Sequence, residues 1–100
     1  MRVLTSVDVD LTAFHSDPHM NEGRHEHTWN VRVVWEGSIF RDARCFRAAL
    51  EQWLSPFQGK DLPPEWWAAE DLAKAVLTLG TGDPIGCVIT RPGYRAEVWL

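Results

Sequence analysis

A two-residue period runs through both ends of this chain and commits them to half-buried strands. From Arg2 to Phe14 the odd positions carry Val3, Val7, Val9, Leu11 and Ala13, while Ser6, Asp8, Asp10 and Thr12 stand at even ones. Successive strand side chains point to opposite faces, so this spacing predicts one face in a core and one in water. A polar stretch from Ser16 to Gly23 breaks the pattern and reads as loop. Alternation returns from about His25 to Glu36, with Trp29, Val31, Val33 and Trp35 on one side and Thr28, Asn30, Arg32 and Glu36 on the other. Two antiparallel neighbours are expected, closed by Gly37-Ser38.

The period then changes. Phe46, Leu50, Trp53 and Leu54 follow i, i+4, i+7, i+8, an amphipathic helix over roughly 41–54 that Pro56 and Gly59 end. Asp61-Leu62-Pro63-Pro64-Glu65 reads as the start of a second helix, with proline and acid where a first turn favours them. Its expected buried stripe is Trp66, Ala69, Leu72, Ala73, Val76 and Leu77, with Gly80 as its stop. Gly82-Asp83-Pro84 is a turn, Ile85 to Arg91 a strand, Pro92-Gly93 a tight turn and Tyr94 to Leu100 a last strand. The order ββααββ predicts an α+β domain, an antiparallel four-stranded sheet with two helices on one face.

The 100 residues suffice for one domain over 1–100 and not for two. A chain of this size buries about 65% of its unfolded surface, a modest core. Six tryptophans and four phenylalanines are many rings for it, which places some of them at an expected subunit interface. The net charge is −4 and no Lys/Arg cluster could line a phosphate backbone, so nucleic acid is not an expected partner. The alternating start is unlike a signal peptide, and no window has the length of a membrane span. Cys45 and Cys87 lack a CxxC partner and are expected to be reduced, buried small hydrophobes. A cytoplasmic location is the expectation.

All four histidines fall within residues 15–27. His25 and His27 are two apart on a predicted strand and so share a face. His15 ends the preceding strand, where antiparallel pairing could set it beside them. Three converging imidazoles are the usual protein share of a catalytic zinc site with an open fourth position. Imidazole also suits copper, nickel and iron, so Zn2+ follows from commonness. A His-x-His pair on a solvated strand face is the competing reading.

These residues resemble a family. Thr12-Ala13-Phe14-His15, then His25-Glu26-His27-Thr28-Trp29-Asn30-Val31-Arg32-Val33, is similar to the opening of the 6-pyruvoyl-tetrahydropterin and 6-carboxytetrahydropterin synthases. Trp67-Ala68-Ala69-Glu70-Asp71-Leu72-Ala73 resembles the family's Pro-Thr-x-Glu-Asn-Leu-Ala helix start, and ββααββ matches its tunnelling fold. The resemblance implies zinc on His15, His25 and His27, and trimers whose sheets close into one barrel. It also implies stacking of trimers into hexamers, and sites between subunits.

Three positions depart from the family. Its catalytic cysteine precedes His-Gly-His, and the loop here has none. Its Asp-His pair follows the first helix, where Ser55-Pro56-Phe57 stands. Its pterin-anchoring glutamate opens the last hairpin, occupied here by Thr90-Arg91-Pro92-Gly93. Arg91 could hold a carboxylate or phosphate instead. Asp17, His19 and Glu22, in the loop beside the metal, are the candidate proton acceptors. Glu26 should point to the wrong face, Glu70 is a second candidate substrate contact, and Glu97 on the last strand is a further carboxylate. The leading expectation is a zinc-dependent lyase or cyclising enzyme acting on a small, possibly non-pterin, polar molecule. The alternatives are a non-catalytic family member that binds a ligand or partner, and a structural subunit without metal.

Overall fold

The computed structural model describes residues 1–17 and 22–100. The two alternating stretches form β1 (Leu4–Asp17) and β2 (Glu22–Glu36), paired antiparallel from Leu4↔Glu36 to His15↔His25. Both reach further into the polar stretch than expected, because the ladder continues past His15 to an Asp17↔Glu22 pair after a shift of register. β3 (Gly86–Arg91) and β4 (Tyr94–Trp99) follow the helices, giving one antiparallel sheet in the order β1-β2-β3-β4.

Helix α1 (Ala43–Leu54) runs on into a 3₁₀ turn at Ser55–Phe57. The second helix departs from expectation. Pro63-Pro64-Glu65 opens only a 3₁₀ turn, Pro64–Trp66, and α2 begins at Ala69 and ends at Val76. Two local constraints explain the delay. The amide of Leu62 donates to the Phe14 carbonyl, holding the segment against β1, and Ala68 is extended (φ −82°, ψ 133°). Leu77, placed on the buried stripe, lies half-buried in a closing 3₁₀ turn, as Trp66 does in the opening one.

The odd residues of β1 and β2 and the apolar stripes of both helices make one core, with Leu11, Val31, Val33, Leu50, Leu54, Ala73, Val76 and Ile89 wholly inside. The tryptophans are mostly absorbed here. Trp29 and Trp35 are buried and Trp53, Trp66 and Trp67 pack against the same core, so only Trp99, 46% exposed, is left at the surface. The outer edge of β1 is covered from Thr12 to Phe14 by residues 59–62, through Gly59 N–H to Thr12 O and Phe14 N–H to Lys60 O. Among the described residues no strand covers the outer edge of β4.

Cys87 is buried as expected, but Cys45 is exposed. It sits one residue before Phe46 on α1 and so falls off the helix's apolar stripe. Burial pushes the Cys87 thiol up to about 12. One thiol, Cys45, is therefore expected to react with a thiol reagent in the folded protein, and the second only after unfolding. The unfolded Cys87 thiol ionises near 9.0, so the folded state binds the extra proton between there and about 12. Stability should fall as pH rises through that interval. Equal labelling of both thiols in the native protein would contradict this packing.

Candidate metal centre

The period that builds the core also builds this site. His15 continues the inward row Val7, Leu11, Ala13 of β1, and His25 and His27 continue the row Trp29, Val31, Val33 of β2. Register sets His15 opposite His25 and Ala13 opposite His27. The small Ala13 leaves room beside His27 for the two longer rings. The three imidazoles lie 4.5–4.9 Å apart between centroids, and one nitrogen from each falls within 4.8 Å of the others. Trp29 packs edge-on against His15 and His27, at 5.2 and 5.5 Å, and forms an apolar floor.

Hydrogen bonding fixes two tautomers. Nδ1–H of His15 donates to the Trp67 carbonyl at 3.1 Å, and Nδ1–H of His25 to the Gly23 carbonyl at 2.7 Å. A carbonyl oxygen only accepts, so in the neutral rings both Nε2 atoms carry lone pairs. Those two atoms are 2.9 Å apart. Facing lone pairs repel unless a cation, a proton or a metal ion, lies between them. Carbonyls that orient the far nitrogen are the usual outer support of a metal-binding histidine. The three donors could therefore hold a metal ion.

His27 is held below the ordinary histidine range, first by burial and then by the Arg91 guanidinium, whose Nη1 lies 3.2–3.3 Å from its ring nitrogens. Both effects favour the neutral ring that coordination requires. Of the loop candidates, Glu22 brings a carboxylate oxygen to 3.5 Å from Nε2 of His25. Asp17 closes β1, and His19 lies outside the described residues. Glu26 is exposed, on the strand face opposite to the triad, as expected. Glu97 is removed from the site. It lies on the outer face of the sheet, where the Trp99 indole, and then Arg95, donate to it and hold its carboxyl low.

Beside the triad lies a cavity of about 190 Å³ lined by His15, Trp29, Trp67, Glu70, Arg91 and Tyr94, with Ala68 and Ala69. The two candidate substrate contacts, Glu70 and Arg91, thus share one cavity although 21 positions separate them. Tyr94 joins them. Its hydroxyl donates to Glu70 at 2.9 Å, which raises its own pKa, and its ring lies 5.5 Å from the Arg91 guanidinium. Neither Tyr94 nor the Trp67 carbonyl was legible as a site group, since tyrosine in a strand and a backbone oxygen carry no pattern. The hairpin end is tied to the covering segment by Arg24, which pairs with Asp61 at 2.6 Å and lies over the Phe14 ring at 3.8 Å. No protein-family model and no curated protein matches the sequence.

Proposed function

We propose that this chain is a divergent, zinc-dependent enzyme of the 6-pyruvoyl-tetrahydropterin synthase type, carrying out lyase or cyclisation chemistry on a small polar molecule. The observation that carries the reading is the pair of facing Nε2 atoms, 2.9 Å apart, with His27 beside them and carbonyls behind two of the rings. The ββααββ order and the single four-stranded sheet agree with a tunnelling fold. Zinc on the triad would act as a Lewis acid toward a carbonyl or hydroxyl oxygen and stabilise enolate-like charge.

The chain's own groups supply the rest. Glu22 is the proton acceptor, since its carboxylate is already beside the triad. Arg91 and Glu70 hold the substrate, and Trp29 and Trp67 restrict water. The family's cysteine, Asp-His pair and anchoring glutamate are not found, so a non-pterin substrate is favoured. That same absence supports a second reading, a non-catalytic member that keeps metal and assembly. Both readings include a cytoplasmic homo-oligomer, a trimer or hexamer, in which the outer edge of β4 would find a strand partner. No helix among the described residues is long and apolar enough to cross a membrane.

Elemental analysis of protein purified without an affinity tag or added metal tests the centre. About one zinc per chain is expected. No bound metal, with no uptake from dilute zinc, overturns the proposal. Glu22→Gln separates the two readings. In an enzyme it should keep its zinc and lose about 10²–10⁴-fold in turnover on any accepted carbonyl or hydroxy substrate. If the wild type turns over no member of a broad panel, the non-catalytic reading stands.

A further inference from the structure

The cavity next to the triad has an asymmetric lining that points to a class of ligand. Arg91 is half-buried, and among the described residues it pairs with no carboxylate. Its Nη1 lies 3.2 Å from a ring nitrogen of His27, an imidazole and not a carboxylate. A guanidinium in that position presents free N–H donors to the cavity, and its fork matches a carboxylate. Glu70, also on the lining, accepts from Tyr94 and retains further lone pairs. Trp29 and Trp67 line the same cavity.

We propose that this cavity binds a small hydroxy- or amino-carboxylate, with its carboxylate on Arg91 and its hydroxyl or amine donating to Glu70. As the substrate class of the site, this rests on reading the triad as a metal centre. Two further facts narrow the class. The volume, about 190 Å³, lies below the roughly 300 Å³ at which pockets for larger ligands begin, so the ligand is small. Among the described residues no lysine and no second arginine lines the cavity, and Glu70 would repel a dianion, so one carboxylate is favoured over a phosphate. Tyr94 sets the spacing of the two contacts, touching Glu70 through its hydroxyl and facing Arg91 with its ring.

Calorimetric titration of the full chain tests this, with glycolate, glycine, methyl glycolate and inorganic phosphate as probes. Zinc-loaded and chelator-stripped samples of known metal content are both titrated. Saturable binding of glycolate or glycine is expected, with methyl glycolate and phosphate much weaker. Arg91→Gln should weaken the carboxylate about tenfold or more, and Arg91→Lys should restore part of the loss. Glu70→Gln should weaken the same probe while leaving metal content unchanged. One zinc per chain with no binding of either acid, or phosphate bound more tightly than both, overturns the ligand assignment and leaves the metal centre standing. Failure to hold zinc, with glycolate still bound through Arg91, overturns the metal centre and leaves the anion site.

Discussion

His25→Ala is expected to leave the chain with essentially no tightly bound metal, against about one ion per chain in the wild type. Removing even a hydrogen-bonding group behind a ligand typically costs 10–100-fold in metal affinity, and removing the ligand itself should cost ~100-fold or more. The stripped protein should behave differently. With the metal gone, a proton shared between the Nε2 atoms of His15 and His25 can take its place, and the alanine removes that bond together with the one to Gly23. His25→Ala should therefore unfold modestly below the stripped wild type, by about 0.5–1.5 kcal/mol. Adding zinc should raise the wild-type Tm, because a ligand of the folded state stabilises it by mass action, and leave the variant where it was. Glu26→Ala is the control, one residue away on the opposite strand face, and should retain its zinc. A His25→Ala protein that still carries one zinc per chain would remove His25 from the site.

Trp35→Ala is expected to be the most damaging substitution for stability, at roughly 3–5 kcal/mol. Trp35 is 2% exposed, stacks on Phe46 of α1 with ring centroids 4.7 Å apart, and donates its indole N–H to the Thr81 carbonyl at 2.9 Å. One side chain thus joins β2, the first helix and the turn that leads into β3. Gly82 completes the arrangement. Its φ is +67°, and a Cβ there would run into the Phe46 ring, so the turn needs glycine twice over. Small domains are held by about 5–15 kcal/mol, and each kcal/mol moves Tm by about 4–8 °C at this size. Trp35→Phe keeps the stack and loses the hydrogen bond, with an expected cost of roughly 1–3 kcal/mol. Trp35 pairs with Thr5 at the opposite end of the hairpin from the triad, so the folded fraction of either variant should bind zinc normally. Denaturant unfolding with metal analysis checks both halves. A Trp35→Ala midpoint close to the wild type would show that this junction is not what holds the helix to the sheet.

The departures from expectation have local causes. Residue type places Cys45 in the core, whereas its position one step before Phe46 on an amphipathic helix puts it outside; periodicity is the better guide. The start at Asp61-Leu62-Pro63-Pro64 carries valid helix signals, but the backbone there is already engaged with Phe14 of β1. Most of the tryptophans found places within the chain, where helix α1 and two 3₁₀ turns stack rings on one another, as Trp53 does on Trp66 at 5.4 Å.

What the residues alone determined is direction. A strand alternates its side chains by backbone geometry, so His25 and His27 had to share a face with Trp29, Val31 and Val33, and Glu26 had to leave it. The spacing of Phe46, Leu50, Trp53 and Leu54 likewise oriented α1. Proximity across the chain was decided by the tertiary structure alone. The pairing of His15 with His25 depends on the register of the whole β1–β2 ladder. The carbonyl that orients His15 comes from Trp67, 52 residues on, and exists as a site group only because α2 starts late. Arg91 and Tyr94 reach the triad from the second hairpin through pairing of β3 with β2. Side-chain direction is set by neighbours along the chain and can be read from them. Distance between remote segments is set by register, loop length and packing together, and no local pattern contains it.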